Sequence, residues 1–162
     1  MASINYVSCL DKTYQSQGFP AYKWSVFDTS PWTPFEIPLN QACVALVSSS
    51  GIFRDDQEPF NPWAVNDLSF REIPSDTPFE MLKLAHNYFD HRSALKDMNC
   101  VLPVQRLTEL EKAGFIGRMA PKAITLGMGR LYKRTALLEE TVPKIVERLR
   151  DFDTDAVLLV AA

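Results

Sequence analysis

The chain has 162 residues, of which 46% are hydrophobic and 23% charged, and its formal net charge is −3. That profile belongs to one soluble globular domain of ordinary size with enough apolar residues for a core, and it excludes a disordered chain. The mild acidity, with no Lys/Arg block longer than the stretch Arg130 to Arg134, argues against nucleic acid as a main partner.

Residues 1–40 are rich in aromatics and prolines: Tyr22, Trp24, Phe27, Trp32 and Phe35 stand among Pro20, Pro31, Pro34 and Pro38. Proline fixes φ and interrupts hydrogen-bond ladders, so the segment reads as an extended N-terminal arm with at most a short helix. Its aromatics are too many to leave in water and call for packing on the body or on a second subunit. The body is expected over residues 41–162.

The first clear element is Ala42-Cys43-Val44-Ala45-Leu46-Val47, short and apolar on both faces. A strand buried on both sides of a parallel sheet has this pattern. Ser48-Ser49-Ser50-Gly51 follows as a small polar loop at the strand's C-terminal end, where open α/β sheets place ligands. Residues 53–71, with Pro59 and Pro62, read as irregular. A helix is expected from Thr77: Thr77 caps, Pro78 suits the first helical position, Glu80 completes a capping box, and Phe79, Leu82, Ala85 and Phe89 form the apolar stripe.

A second helix is expected from about Val104 to Ala113, stopped by Gly114. The last helix carries Leu138, Val142, Ile145, Val146 and Leu149 as an amphipathic stripe. Pro143 is tolerable only in a first turn, which sets the helix start near Glu140. The acidic turn Asp151 to Asp155 leads into Ala156-Val157-Leu158-Leu159-Val160-Ala161, read as a second strand buried on both faces. The expected fold class is therefore α/β, a mostly parallel sheet with flanking helices.

No apolar run approaches the ~20 residues of a membrane span, and Met1 to Leu10 lacks the basic start and apolar stretch of a signal peptide. Cys9, Cys43 and Cys100 are far apart and odd in number, which suggests neither a disulfide framework nor a zinc knuckle. A reducing cytoplasm is the expected compartment. Cys43 reads as a core thiol and Cys100 as structural.

His86 and His91, with Asp90 and Asp97, are the histidine-rich constellation. One reading is general acid/base work on a substrate. The other is capping of a helix C-terminus by cationic histidine. The five-residue spacing is not that of paired zinc histidines on one helix face, and no metal site is expected. Asp67, Ser69 and Arg71 alternate, so on an extended segment they point one way. Arg71 suits a bidentate clamp on a substrate carboxylate, or a structural salt bridge with a nearby acid. Asn99 and Arg106 divide the same way, with the structural reading ahead. Ser49 and Gly51 lie in a loop able to bind an anion through backbone N–H groups, without a nucleotide-binding glycine pattern.

Several stretches carry a family resemblance. They are Ala45-Leu46-Val47-Ser48-Ser49-Ser50-Gly51 with Gln57-Glu58-Pro59-Phe60, then Asp67-Leu68-Ser69-Phe70-Arg71-Glu72-Ile73-Pro74, then His86-Asn87-Tyr88-Phe89-Asp90-His91. Asp97-Met98-Asn99-Cys100-Val101-Leu102-Pro103, Arg106-Leu107, Glu109-Leu110, Gly114-Phe115-Ile116-Gly117 and Ala120-Pro121 continue the series. In order and spacing, residues 31–162 resemble the selenoprotein B family of the glycine, sarcosine and betaine reductases, which includes the D-proline reductase selenoprotein. The resemblance implies reductive cleavage of a C–N bond α to a carboxylate. It also implies a partner subunit whose pyruvoyl carbonyl condenses with the substrate amine in the glycine and D-proline versions, and a selenolate that attacks the activated carbon.

The family's selenocysteine or cysteine follows a strand like Asp155 to Val160, and the chain is expected to stop just before it. The expectation is thus a reductase subunit in a hetero-oligomer, with no cofactor of its own and inactive alone. Two rivals stand beside it: a non-catalytic binding or scaffold homologue in a hetero- or homo-oligomer, and a selenium-independent enzyme using the His86/His91 region.

Overall fold

The structure, a computed structural model, describes residues 5–21, 26–87, 89–127 and 133–162. Tyr22 and Trp24 of the aromatic arm, Tyr88, and residues 128–132, which include the first part of the basic stretch, lie outside the described residues. The chain divides into two compact units, Met1–Pro34 and Phe35–Ala162. In the first, helix α1 spans Tyr6–Ser16, capped by the Asn5 side chain, which accepts from the Ser8 N–H at 3.2 Å. These residues precede Pro20, the first proline of the chain, so nothing interrupts their hydrogen bonds.

In the second unit the central strand is β1 (Cys43–Ser48). It is followed by β2 (Ile52–Arg54), β3 (Phe70–Pro74) and β4 (Leu82–Leu84). Helix α2 (Val104–Lys112), β5 (Arg118–Met119) and β6 (Lys122–Leu126) come next. Val44 pairs with Met119 and with Ala156, and Val47 pairs with Ile124 and with Leu159. A strand has two edges, so β5 and β6 lie end to end along one edge of β1, and β7 (Ala156–Val160) lies along the other. All three run parallel to β1; β3 pairs with β6 antiparallel, from Phe70 opposite Leu126 to Pro74 opposite Lys122. The fold is α/β with a mostly parallel sheet.

β1 is buried along its whole length. Cys43, Ala45 and Val47 pack with Ile145, Leu149 and Phe152 on one face, while Val44 and Leu46 join Leu102, Val104, Leu107 and Ile116 on the other. Alternation with period two sends these sets to opposite faces, and each larger side chain so buried is worth about 1.5–3 kcal/mol. Glu72 of β3 accepts from Lys122 of β6 at 2.6 Å and from Arg148 at 3.0 Å, which ties helix and sheet together.

Four sequence expectations need correction. The helix expected from Thr77 is a single 3₁₀ turn, Phe79–Met81, that opens directly into β4. Leu82 to Leu84 pair antiparallel with Arg54 to Ile52, so tertiary pairing overrides a capping signature that serves only one turn. For the same reason residues 53–71 are not wholly irregular, since β2 and the start of β3 fall there. The last helix begins earlier than Glu140: α3 (Arg134–Ala136) passes through a π-helical turn (Leu137–Thr141) into α4 (Val142–Asp151). Pro143 lacks an N–H and its ring crowds the carbonyl four residues back; the wider turn takes up that misfit.

Finally, β7 is not buried on both faces, and Leu159 is 74% exposed. α4 covers β1 and β6 through Ile145, Val47 and Ile124, and β7 lies outside them at the sheet edge. Among the described residues no helix is long and apolar enough to cross a membrane.

Thr141, buried at the end of the π turn, donates its hydroxyl to the Leu68 carbonyl at 2.7 Å and so joins the helix to the loop before β3. Thr141→Val keeps the shape and strands that carbonyl, so it should cost about 1–3 kcal/mol. Urea denaturation checks this, and an unchanged midpoint would show that the bond adds nothing.

Candidate functional site

Strands β1, β6 and β7 end together on one rim, where Ser48 pairs with Thr125 and with Val160. Ser48 Oγ donates to the Val101 carbonyl at 2.6 Å, and the Ser50 N–H donates to Ser48 Oγ at 3.2 Å. The Ser49 N–H donates to the Val160 carbonyl at the end of β7, and the Ala162 N–H donates to Ser49 Oγ, both at 3.1 Å. The Gly51 N–H donates to Leu126 at the end of β6, and the Gly51 carbonyl accepts from the Ala85 N–H, both at 3.0 Å.

Gly51 has φ +67, and an added Cβ would fall 2.5 Å from the Ala85 carbonyl oxygen, so the turn requires glycine. The Ser48–Gly51 loop is therefore held from three sides. Ser50 is fully buried, and its Oγ has no hydrogen-bond partner among the described residues.

His86 follows Ala85 and is 2% exposed. Its ring lies 4.8 Å from that of Phe89, which in turn lies 4.7 Å from His91. Burial, and secondarily the charge of His91, hold the His86 imidazole below the usual histidine range, so it is neutral at neutral pH. The Nε2 of His91 is buried with no hydrogen bond among the described residues. The hydrogen bonds that Asp90 accepts among the described residues come from Arg92, whose side chain and then backbone hold its carboxyl below the usual carboxylate range. The expected helix is absent here, so neither histidine caps one.

Asp67, Ser69 and Arg71 come together as expected, lining one cavity of about 330 Å³ with Glu58, Asn61 and Asn66. Asp67 is the builder of that wall. Its carboxylate accepts from the Asn61 N–H at 3.0 Å and from both the N–H and Oγ of Ser69, at 2.9 and 2.5 Å. The cavity sits on the same rim, because Gly127, just past β6, donates its N–H to the Ser69 carbonyl at 3.3 Å.

Asn99 and Arg106 do not join the cavity. Asn99 donates to Asp97 and Gln105, at 2.8 and 3.2 Å, and Arg106 forms an exposed ion pair with Glu109 at 2.9 Å. Backbone and side-chain N–H groups of Asn99 hold Asp97 below the usual carboxylate range. Sequence reasoning did not single out Glu58, Asn61 and Asn66, although Glu58 lies in a stretch that carried the resemblance; a run of Asn and Asp between prolines is the signal. Among the described residues no group of three His, Cys, Asp or Glu gathers to hold a metal ion.

The family model for glycine/sarcosine/betaine reductase selenoprotein B matches residues 10–162. The chain belongs to that family. It is 37% identical to the gamma subunit of D-proline reductase from Acetoanaerobium sticklandii over 131 residues, 80% of this chain and 52% of that protein. It is 29% identical to the gamma subunit of glycine reductase complex component B from Symbiobacterium thermophilum over 150 residues, 86% of this chain and 33% of that protein. Identity to the beta subunit of sarcosine reductase complex component B from Peptoclostridium acidaminophilum is 28% over 105 residues, 61% of this chain and 23% of that protein. The chain thus spans about half, or less, of these relatives' lengths. No solved structure matches it.

Two expected outcomes follow from the geometry. Burial raises the Cys43 thiol above its usual range, whereas Cys9 and Cys100 are exposed. Ellman's reagent should therefore titrate Cys9 and Cys100 at once and Cys43 only after denaturation; equal rates for all of them would contradict the burial of β1.

The second concerns His86. Its folded value is depressed, so the unfolded chain binds more protons as pH falls through the ordinary histidine value of about 6.5. Stability should be intact above that value and decline as pH drops from it through the folded value. The carboxylates of Asp90 and Asp97, also depressed, lose their contribution only at lower pH. The urea midpoint should fall between about pH 7.5 and about pH 5, and His86→Gln should shrink that difference. An equal fall in the variant would assign the effect elsewhere.

Proposed function

We propose that this chain is a subunit of a selenoprotein B-type reductase that cleaves the C–N bond of glycine, sarcosine, betaine or D-proline. The substrate sits on the C-terminal rim of the sheet, and the selenium or thiol nucleophile is not among the residues of this chain. The observation that carries the reading is family membership over residues 10–162. The C–N bond breaks, a C–H bond forms and the amine nitrogen takes up a proton, while a selenol–thiol or dithiol pair supplies two electrons and two protons and ends as a selenenyl sulfide or disulfide. In this reading His86 and His91 move protons at the rim, while Ser49, Gly51, Ser69 and Arg71 hold the substrate and Asp67 shapes its cavity. The pyruvoyl group belongs to a partner subunit of the complex, which works in the cytoplasm.

The positions of the cysteines support a nucleophile from elsewhere. Cys43 starts β1, five residues before Ser48, or about 16 Å from the rim at the rise of a strand. Cys100 turns its Sγ toward the Ser93 carbonyl at 4.0 Å.

A second reading, a selenium-independent enzyme, is favoured by the contact of buried His86 with half-buried Phe89 and of Phe89 with half-buried His91. The test supplies the purified 162-residue chain with dithiothreitol and each of the four substrates, and measures amine release or ring opening. No turnover is expected. Turnover lost in Cys100→Ser would place the nucleophile within this chain. Turnover retained there and lost on replacing both histidines by alanine would favour the second reading.

A further inference from the structure

Arg71 differs from the other half-buried arginines of the described residues. Arg54 is paired with Asp56, and Arg148 with Glu72 and Asp151. Arg71 forms no ion pair among the described residues, although Glu58 and Asp67 line the same cavity. Its guanidinium lies instead over the ring of Phe60, the central carbon 4.5 Å from the ring centroid. Nε donates to the Glu58 carbonyl at 2.8 Å and Nη1 to the Phe70 carbonyl at 3.0 Å. A guanidinium has five N–H donors, so both donors of Nη2 and one of Nη1 remain.

Phe60 is itself fixed. It is 3% exposed, its ring stands edge-on to Phe53 with centroids 6.3 Å apart, and it presses on Gly127, where an added Cβ would fall 2.4 Å from Phe60 Cδ1. The stack and the two carbonyls orient the guanidinium without neutralising its charge. A half-buried cation held flat in this way suits a carboxylate. The carboxylates on the cavity wall disfavour a purely anionic ligand, and the Asn61 and Asn66 amides add neutral polar groups.

We propose that Phe60 is a positioning residue that holds Arg71 as the carboxylate receptor of a small zwitterionic ligand, whose ammonium end is served by Glu58. This rests on the substrate placement proposed above. Leucine at position 60 keeps an apolar filler but removes the π face, whereas tyrosine keeps the face. Lysine at position 71 keeps the charge but loses the planar fork.

The experiment is isothermal titration of the full chain with sarcosine, acetate and methylamine, using wild type, Phe60→Leu, Phe60→Tyr, Arg71→Lys and the Phe60→Leu/Arg71→Lys double variant. Wild type should bind sarcosine about tenfold more tightly than either fragment. Phe60→Leu should weaken sarcosine and acetate by about three- to tenfold while sparing methylamine, and Phe60→Tyr should restore both. A merely structural Phe60 would weaken all three alike.

Should Phe60→Leu fail to fold, Arg71→Lys against wild type and Phe60→Tyr reads the same carboxylate selectivity. In a folded double variant the two losses should overlap rather than add. Wild type that binds none of the three overturns both the substrate placement and the role of Phe60. Sarcosine binding that survives unchanged in Phe60→Leu overturns the positioning role alone, whereas binding that survives unchanged in Arg71→Lys overturns Arg71 as the carboxylate receptor as well.

Discussion

Everything on the rim depends on β1 being unable to slip. Its edges are filled by β7 on one side and by β5 and β6 on the other, and both of its faces are apolar and covered. A shift by one residue would exchange its faces and break every ladder together. The start of the strand is fixed as well: Cys43 donates its N–H to the Asp155 carboxylate at 2.8 Å, and its carbonyl accepts from the Asp155 N–H at 3.0 Å. With the strand pinned at one end and paired throughout, the position of Ser48 is determined, and the left-handed turn at Gly51 follows from it. The Ala85 carbonyl that excludes a side chain at Gly51 also sets how closely the His86 backbone approaches the loop.

Double-sided strands and long amphipathic helices are legible in a sequence because many residues vote for one period. β1 and the helices at Val104 and Val142 are of this kind. Three-residue strands carry almost no period, which is why β2 and β4 were hidden. In β4 the alternation of buried Leu82 and exposed Lys83 is visible once the pairing is known. The composition of β7 matches that of β1, yet one is an edge and the other the centre, and apolarity alone does not record a strand's place in its sheet. Pro143 correctly marked an anomaly, but the chain absorbed it by widening a turn instead of ending the helix.

The candidate site divides along the same line. Asp67, Ser69 and Arg71 were found together because polar alternation brings side chains to one side over a short span. The roles within the group were not legible, since Asp67 spends its carboxylate on local N–H and hydroxyl donors and builds the loop. Phe60 was invisible as a site residue because its effect passes through the side chain it carries. Asn99 and Arg106 looked similar in sequence but spend their polar groups on neighbours in their own turn and helix.

The two halves of the rim offer different electrostatics. On the Arg71 side a positive charge is kept half in water, where it retains its attraction for an anion without the full cost of burial. On the His86 side burial removes charge, leaving an imidazole that neither repels a cationic amine nor competes for a carboxylate. Gly51 lies between them, bonded to Leu126 on one side and Ala85 on the other. The third neighbour of the loop is the end of β7, whose Val160 carbonyl accepts from Ser49. β7 is also the strand with exposed apolar side chains and an outer edge unpaired among the described residues. An unpaired edge is a template for another strand. Pairing there would act on the loop through the hydrogen bonds that join Ser49 to Val160 and Ala162, so the rim and the sheet edge are mechanically one element.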